Sequence, residues 1–130
     1  MSNYSAGRTF EWKVRDALIA AGFWVIRAAG SKGAADLVAI KAVQTDSLNN
    51  PNGGAAIPLG VHQILLVQAK NDNYFPTREW NALFDLSVQL CAIPVLAKKE
   101  ARGAPIEFWR LTAPKEGRGH LPSEKLNLLR

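Results

Sequence analysis

"GSKGAADLVAI", residues 30–40, sets one acid at the mouth of a short apolar run, and "ILLVQAK", residues 64–70, ends a second run in an amide and a lysine two positions apart. The second stretch decides the fold. Its unbroken apolar character is that of a central strand buried on both faces, and such a strand needs cover above and below. Side chains two apart on a strand share a face, so Gln68 and Lys70 emerge side by side. Asp36 opens a neighbouring strand, "DLVAI", and is placed to reach the same point.

The other elements follow outward from this pair. Residues 8–21, "RTFEWKVRDALIAA", read as a helix with an apolar stripe at Phe10, Val14, Ala17, Leu18 and Ala21 and with Gly22 as its stop. Glu11 falls on the edge of that stripe, in a row with Arg8 and Arg15, where it either faces the sheet or pairs with Arg15 one turn on. Residues 23–29, "FWVIRAA", read as a strand on which Arg27 shares a face with Phe23 and Val25. A cation on that face is costly unless it meets an anion. Residues 42–60 are rich in Asn, Pro and Gly and read as a long flexible loop.

A second helix is expected over Thr77–Cys91, with two apolar rows: Trp80, Phe84, Ser87 and Cys91, then Leu83, Leu86 and Leu90. Two rows ask for two covering surfaces, from the chain's own core or from a partner subunit. Cys91 reads as a core residue. "IPVLAKK" (93–99) and "IEFWRL" (106–111) are two more strands, and the basic tail 114–130 is expected to be loose or a short helix. The order is α-β-β-β-α-β-β, a mixed central sheet flanked by helices: an α/β sandwich forming a single domain over residues 1–130.

The 130 residues carry a net charge of +5, and 48% are apolar. The apolar fraction excludes a disordered chain, and the positive balance favours an acidic partner, most commonly nucleic acid. No apolar run approaches the length needed to cross a bilayer, Met1–Phe10 is too polar for a signal peptide, and the single cysteine suits a reducing cytoplasm. A cytoplasmic protein without membrane contact is expected.

Glu11, Asp36, Gln68 and Lys70 would gather two carboxylates, an amide oxygen and an ammonium around one spot. Hard divalent cations take oxygen ligands, and magnesium holds one or two carboxylates, water and a substrate phosphate. Such a cation activates water and stabilises charge on a phosphodiester under attack, while Lys70 orients or deprotonates the water or neutralises the transition state.

The stretch "FEWKVRDALIAAGFWVIRAAGSKGAADLVAI", then "LLVQAK", then "IPVLAKK" with "FWRL", resembles the archaeal-type Holliday junction resolvases of the restriction-endonuclease-like superfamily. The resemblance runs over about residues 5–112, interrupted by the 42–60 insertion. It implies a restriction-endonuclease-like α/β sandwich that works as a homodimer on branched DNA and cuts two opposing strands of a four-way junction with magnesium or manganese. It makes Glu11 the helix glutamate and Asp36 the central metal-binding aspartate, with Lys70 the catalytic lysine. Arg27 and Ser31 fall on its "R-x-x-G-S" residues near the scissile phosphate, which offers DNA phosphate or a nearby carboxylate as the anion for Arg27. Leu83, Leu86 and Leu90 resemble its dimer helix. Arg8, Lys13, Arg15, Lys32, Lys98, Lys99 and Arg102 are candidates to track the DNA arms. One departure stands out: the family usually has Glu where this chain has Gln68. An amide oxygen still ligates a cation, as a third ligand with Glu11 and Asp36, but adds no charge. This leaves three readings open: a junction resolvase, a nuclease of other branched or flap DNA, and a DNA-binding module that does not cut.

Overall fold

The computed structural model describes residues 3–28, 33–48, 57–71, 74–116 and 121–128. The run Leu65–Val67 lies at the middle of the architecture, on the third strand of a six-stranded sheet. Helix α1 (Asn3–Ala20) precedes β1 (Trp24–Arg27), β2 (Leu37–Leu48) and β3 (Ile57–Lys70). Helix α2 (Thr77–Leu90) then leads to β4 (Ile93–Lys98), β5 (Glu107–Leu111) and β6 (Ser123–Leu126). The strands lie in chain order, β1 to β6, and every neighbouring pair is antiparallel except β3–β4. That parallel step requires a crossover, and α2 supplies it.

Two apolar clusters, one on each side of the sheet, show why β3 has no polar alternation. Leu65 and Val67 join Phe10, Val14 and Leu18 of α1, whereas Leu66 joins Trp80 and Leu83 of α2. The stripe expected on α1 is the buried one. The helix ends where Gly22, at φ 96°, reverses the chain. Gly22 N–H bonds to Ile19 C=O and Phe23 N–H to Leu18 C=O, while Phe23 packs in the same cluster as Leu18. Lys41 on β2 adds its ammonium to Ala21 C=O at 2.8 Å, a cation at the negative end of the helix.

The structure departs from the sequence reading in four places. Residues 42–60 are not one loop: β2 continues to Leu48 and β3 begins at Ile57, paired through a bulge between Ala42 and Gln44. The turn-forming "NNPNGG" is confined to 49–54, outside the described residues, and the β-prone flanks pair with each other. The tail contributes β6, which pairs with β5 and makes the order α-β-β-β-α-β-β-β. Leu126 and Leu128 there pack against the α1-side cluster.

The two rows expected on α2 do not separate as two faces. Trp80, Leu83 and Ser87 form the buried line, Phe84 and Leu86 are half-buried, and Val88 and Leu90 are exposed at 63% and 54%. Leu83 is therefore core and not a surface leucine. Cys91 is exposed rather than buried: it sits at φ 53° as the left-handed cap of α2, where its N–H bonds to Ser87 and Val88 C=O. Among the described residues, no helix is long and apolar enough to cross a membrane.

Candidate active site

The antiparallel β2–β3 pair and the parallel β3–β4 pair bring the start of β2 and the ends of β3 and β4 to one end of the sheet. Asp36 sits one residue before β2, and its backbone is fixed on both sides. Its N–H bonds to Val67 C=O at 2.8 Å and its C=O accepts from Ala28 N–H at 2.8 Å. The side chain is pinned as well, because Oδ2 accepts from Ala69 N–H at 3.0 Å. Asp36 makes no ion pair among the described residues. Burial raises its pKa above the ordinary 3.8; the Ala69 N–H and the Lys70 ammonium pull it back, and the charges of Glu11 and Glu79 push it further up.

Gln68 is buried, two residues before Lys70 and on the same face of β3. Lys70 bonds to Glu79 Oε1 at 3.2 Å and lies over the Phe75 ring at 5.8 Å. Glu11, on α1, is held by Arg27 Nε at 2.5 Å, so it pairs neither with Arg15, which turns to Asp16, nor directly with Asp36. For Arg27, the anion in the folded chain is this carboxylate. The site thus has two neutralised pairs, Glu11–Arg27 and Lys70–Glu79, around a carboxylate that has only an N–H partner. Asp36, Gln68 and Lys70 come together as expected, and Glu11 is near enough to be felt electrostatically.

Among the described residues, no three His, Cys, Asp or Glu side chains form a metal cluster. The donor set still suits a hard cation: Asp36 has an uncommitted oxygen, Gln68 an amide oxygen, and Glu11 a carboxylate held only by a half-exposed arginine.

Glu79 was not anticipated. Its signal was modest: an acid in the first turn of the crossover helix, which the parallel step places beside the end of β3. Ser31 and Lys32 lie outside the described residues. Three of the basic candidates are held over aromatic rings. Arg8 stacks on Trp12 at 5.2 Å, Lys98 on Trp109 at 5.3 Å and Lys99 on Phe10 at 5.5 Å. Lys98 and Lys99 point to opposite sides of the sheet, as neighbours on a strand end must. Lys13 and Arg102 are exposed.

The chain is similar to the solved structure of Hjc from Archaeoglobus fulgidus, a Holliday junction resolvase from an archaeal hyperthermophile. The two share 24% sequence identity, with a TM-score of 0.53, over 84% of this chain and 80% of the other. The fold is restriction-endonuclease-like. No family model and no curated protein matches the sequence. The six-stranded sheet delivers Asp36, Gln68, Lys70 and Lys98 to a single end.

Proposed function

We propose that this chain is a structure-selective DNA endonuclease that resolves four-way junctions by metal-dependent phosphodiester hydrolysis, as a homodimer making paired nicks inside the cell. One observation carries the reading: Asp36, half-buried and without an ion pair among the described residues, is pinned beside Gln68 and Lys70. Its support is the likeness in fold to a protein that is itself a Holliday junction resolvase.

Asp36, Glu11 and the Gln68 amide oxygen are the residues that would hold magnesium, or manganese in its place. Such a cation, when bound, supplies an acidified water and offsets charge on the phosphate under attack. The chain's own groups do the rest. Lys70, held in position by Glu79 and Phe75, presents an ammonium to the attacked phosphate or to the water beside it. Arg27 exchanges Glu11 for a DNA phosphate on binding, which frees the Glu11 carboxylate for the cation. Ser31 and Lys32, four and five residues after Arg27 in sequence, are proposed as further contacts to the same phosphate. Arg8, Arg15, Lys98 and Lys99 hold the DNA arms.

The neutral Gln68 gives a second reading its specific ground: a module that binds branched DNA without cutting it. Purified protein incubated with magnesium and labelled junction, flap and linear duplex separates the readings. Paired symmetric cuts confined to the junction are expected. Cutting of flaps instead transfers the activity to another branched substrate, and binding without cleavage establishes the silent module.

A further inference from the structure

Beside the candidate active site, on the α2 side of the sheet, is a small cavity of about 50 Å³ walled by Phe75, Trp80, Leu96 and Leu121 together with Lys70, Lys98 and Lys115. A void of that size takes a few waters or one compact polar group. Three lysines contribute to the wall of this one small cavity, and two of them are neighbours by register, since Lys70 stands opposite Lys98 in the β3–β4 ladder. Like charges placed opposite each other in a sheet are destabilising.

The carboxylates nearby do not settle this repulsion. Glu79 is taken by Lys70 at 3.2 Å. Glu107, the cross-strand neighbour of Lys98, is bound by Lys125 at 3.2 Å and accepts from Trp109 Nε1 at 3.3 Å. Lys98 and Lys115 make no ion pair among the described residues. Each is held instead over an aromatic ring, Lys98 above Trp109 at 5.3 Å and Lys115 above Trp80 at 5.9 Å. Those rings are themselves fixed: Trp80 donates to Ala113 C=O at 2.9 Å, and Asn81 on the same helix turn clasps the Lys115 backbone. The lysines are therefore positioned by a rigid frame, without an anion of their own.

We propose that this cavity is a phosphate-binding site, in which Lys98 and Lys115 hold a backbone phosphodiester adjacent to the one presented to Asp36. Lys70 forms the wall between the two positions. The inference rests on the endonuclease reading for the identity of the strand, but not for the existence of the site. Two anchored phosphates fix the direction of a strand across the end of the sheet, which one cannot do. Lys115 is thereby a DNA-positioning residue, and Lys98 separates from Lys99 in role.

The test follows the Trp80 and Trp109 indole N–H resonances during titration with inorganic phosphate against chloride at matched ionic strength. A saturable shift is expected in the wild type and its loss in Lys98→Gln/Lys115→Gln, with Lys115→Arg retaining it. In parallel, the slope of log K against log salt for four-way junction DNA should fall by about one unit in the double variant, the loss of one phosphate contact. Thermal melting checks that the variants are folded. Indole resonances that ignore phosphate overturn the site. A phosphate response with an unchanged DNA salt slope overturns its assignment to the strand and leaves a site for free phosphate. A wild type that shows both effects but never cuts a junction retains the site while the nuclease reading falls.

Discussion

Arg27 holds Glu11 at 2.5 Å across the gap between β1 and α1, joining two residues of the site that come from outside the central strands. Because Arg27 is 41% exposed, the pair contributes little to stability, about 1 kcal/mol or less. Its expected importance is positional. Arg27→Ala should leave melting nearly unchanged and lower junction cleavage by about 10–100-fold, through loss of the phosphate contact and of the group that holds Glu11 in place before DNA arrives. Single-turnover cleavage over a magnesium series checks it: a defect that high magnesium does not relieve assigns Arg27 to phosphate alone.

Asp36→Asn should abolish cleavage while junction binding is kept or tightened, because the amide retains an acceptor for Ala69 N–H but removes the anion. The pH dependence of stability has a definite sign. The folded-state pKa lies above the ordinary 3.8, so folding disfavours the ionised form, and Asp36 costs stability that grows as pH rises from 3.8 through the folded value. Urea melts without metal should therefore find the Asn variant more stable than wild type at pH 7, with the difference vanishing below 3.8. Cleavage by this variant at the wild-type rate would remove Asp36 from the chemistry.

Gln68→Glu places a further carboxylate near Asp36, Glu11 and Glu79 at a buried position. Without metal the variant should melt lower than wild type. With magnesium it should recover, through binding roughly tenfold tighter, the equivalent of about 1.4 kcal/mol. Calorimetric titration with Glu11→Gln as control reads the affinity directly. A melting loss that magnesium fails to restore makes Gln68 structural.

Helix α2 separates core from candidate interface. Leu83→Ala should cost about 2–5 kcal/mol in folding, since the side chain is fully buried. Val88→Glu/Leu90→Glu changes only exposed positions and should leave the fold intact while converting the proposed homodimer into monomers without the proposed paired nicking. Sedimentation of the wild type as a monomer at micromolar concentration would remove the dimer.

Cys91→Gly should stabilise the chain by about 1 kcal/mol, because a left-handed φ of 53° costs a residue with a Cβ and costs glycine nothing. Equal midpoints in urea would place the strain elsewhere.

What the sequence revealed follows from which signals are local. The period of α1, the apolar run of β3 and the alternate-position pair Gln68–Lys70 are properties of neighbouring residues, and they were legible. The arm of β2 beyond Ala42 and the strand Ser123–Leu126 were not, because each becomes a strand only by pairing with a partner already in place. Cys91 misled for the opposite reason: its apolar context suggested burial, while the end of the helix imposed a left-handed backbone on whatever residue stood there. Arg27 announced that it needed an anion, yet choosing Glu11 over a phosphate required the distance between α1 and β1.

The position of β3, bonded on one side to β2 and on the other to β4, sets how the site yields under thermal fluctuation. Amide protons of Val67, Gln68 and Ala69 lie in the interior of the ladder and should exchange with solvent only when the whole domain opens. Arg27 ends a four-residue edge strand, whose protons should exchange through smaller, more frequent openings. The site is thus divided in its mobility. Asp36, Gln68 and Lys70 share the lifetime of the native state, and the Arg27 side can loosen around the proposed DNA arm without disturbing them.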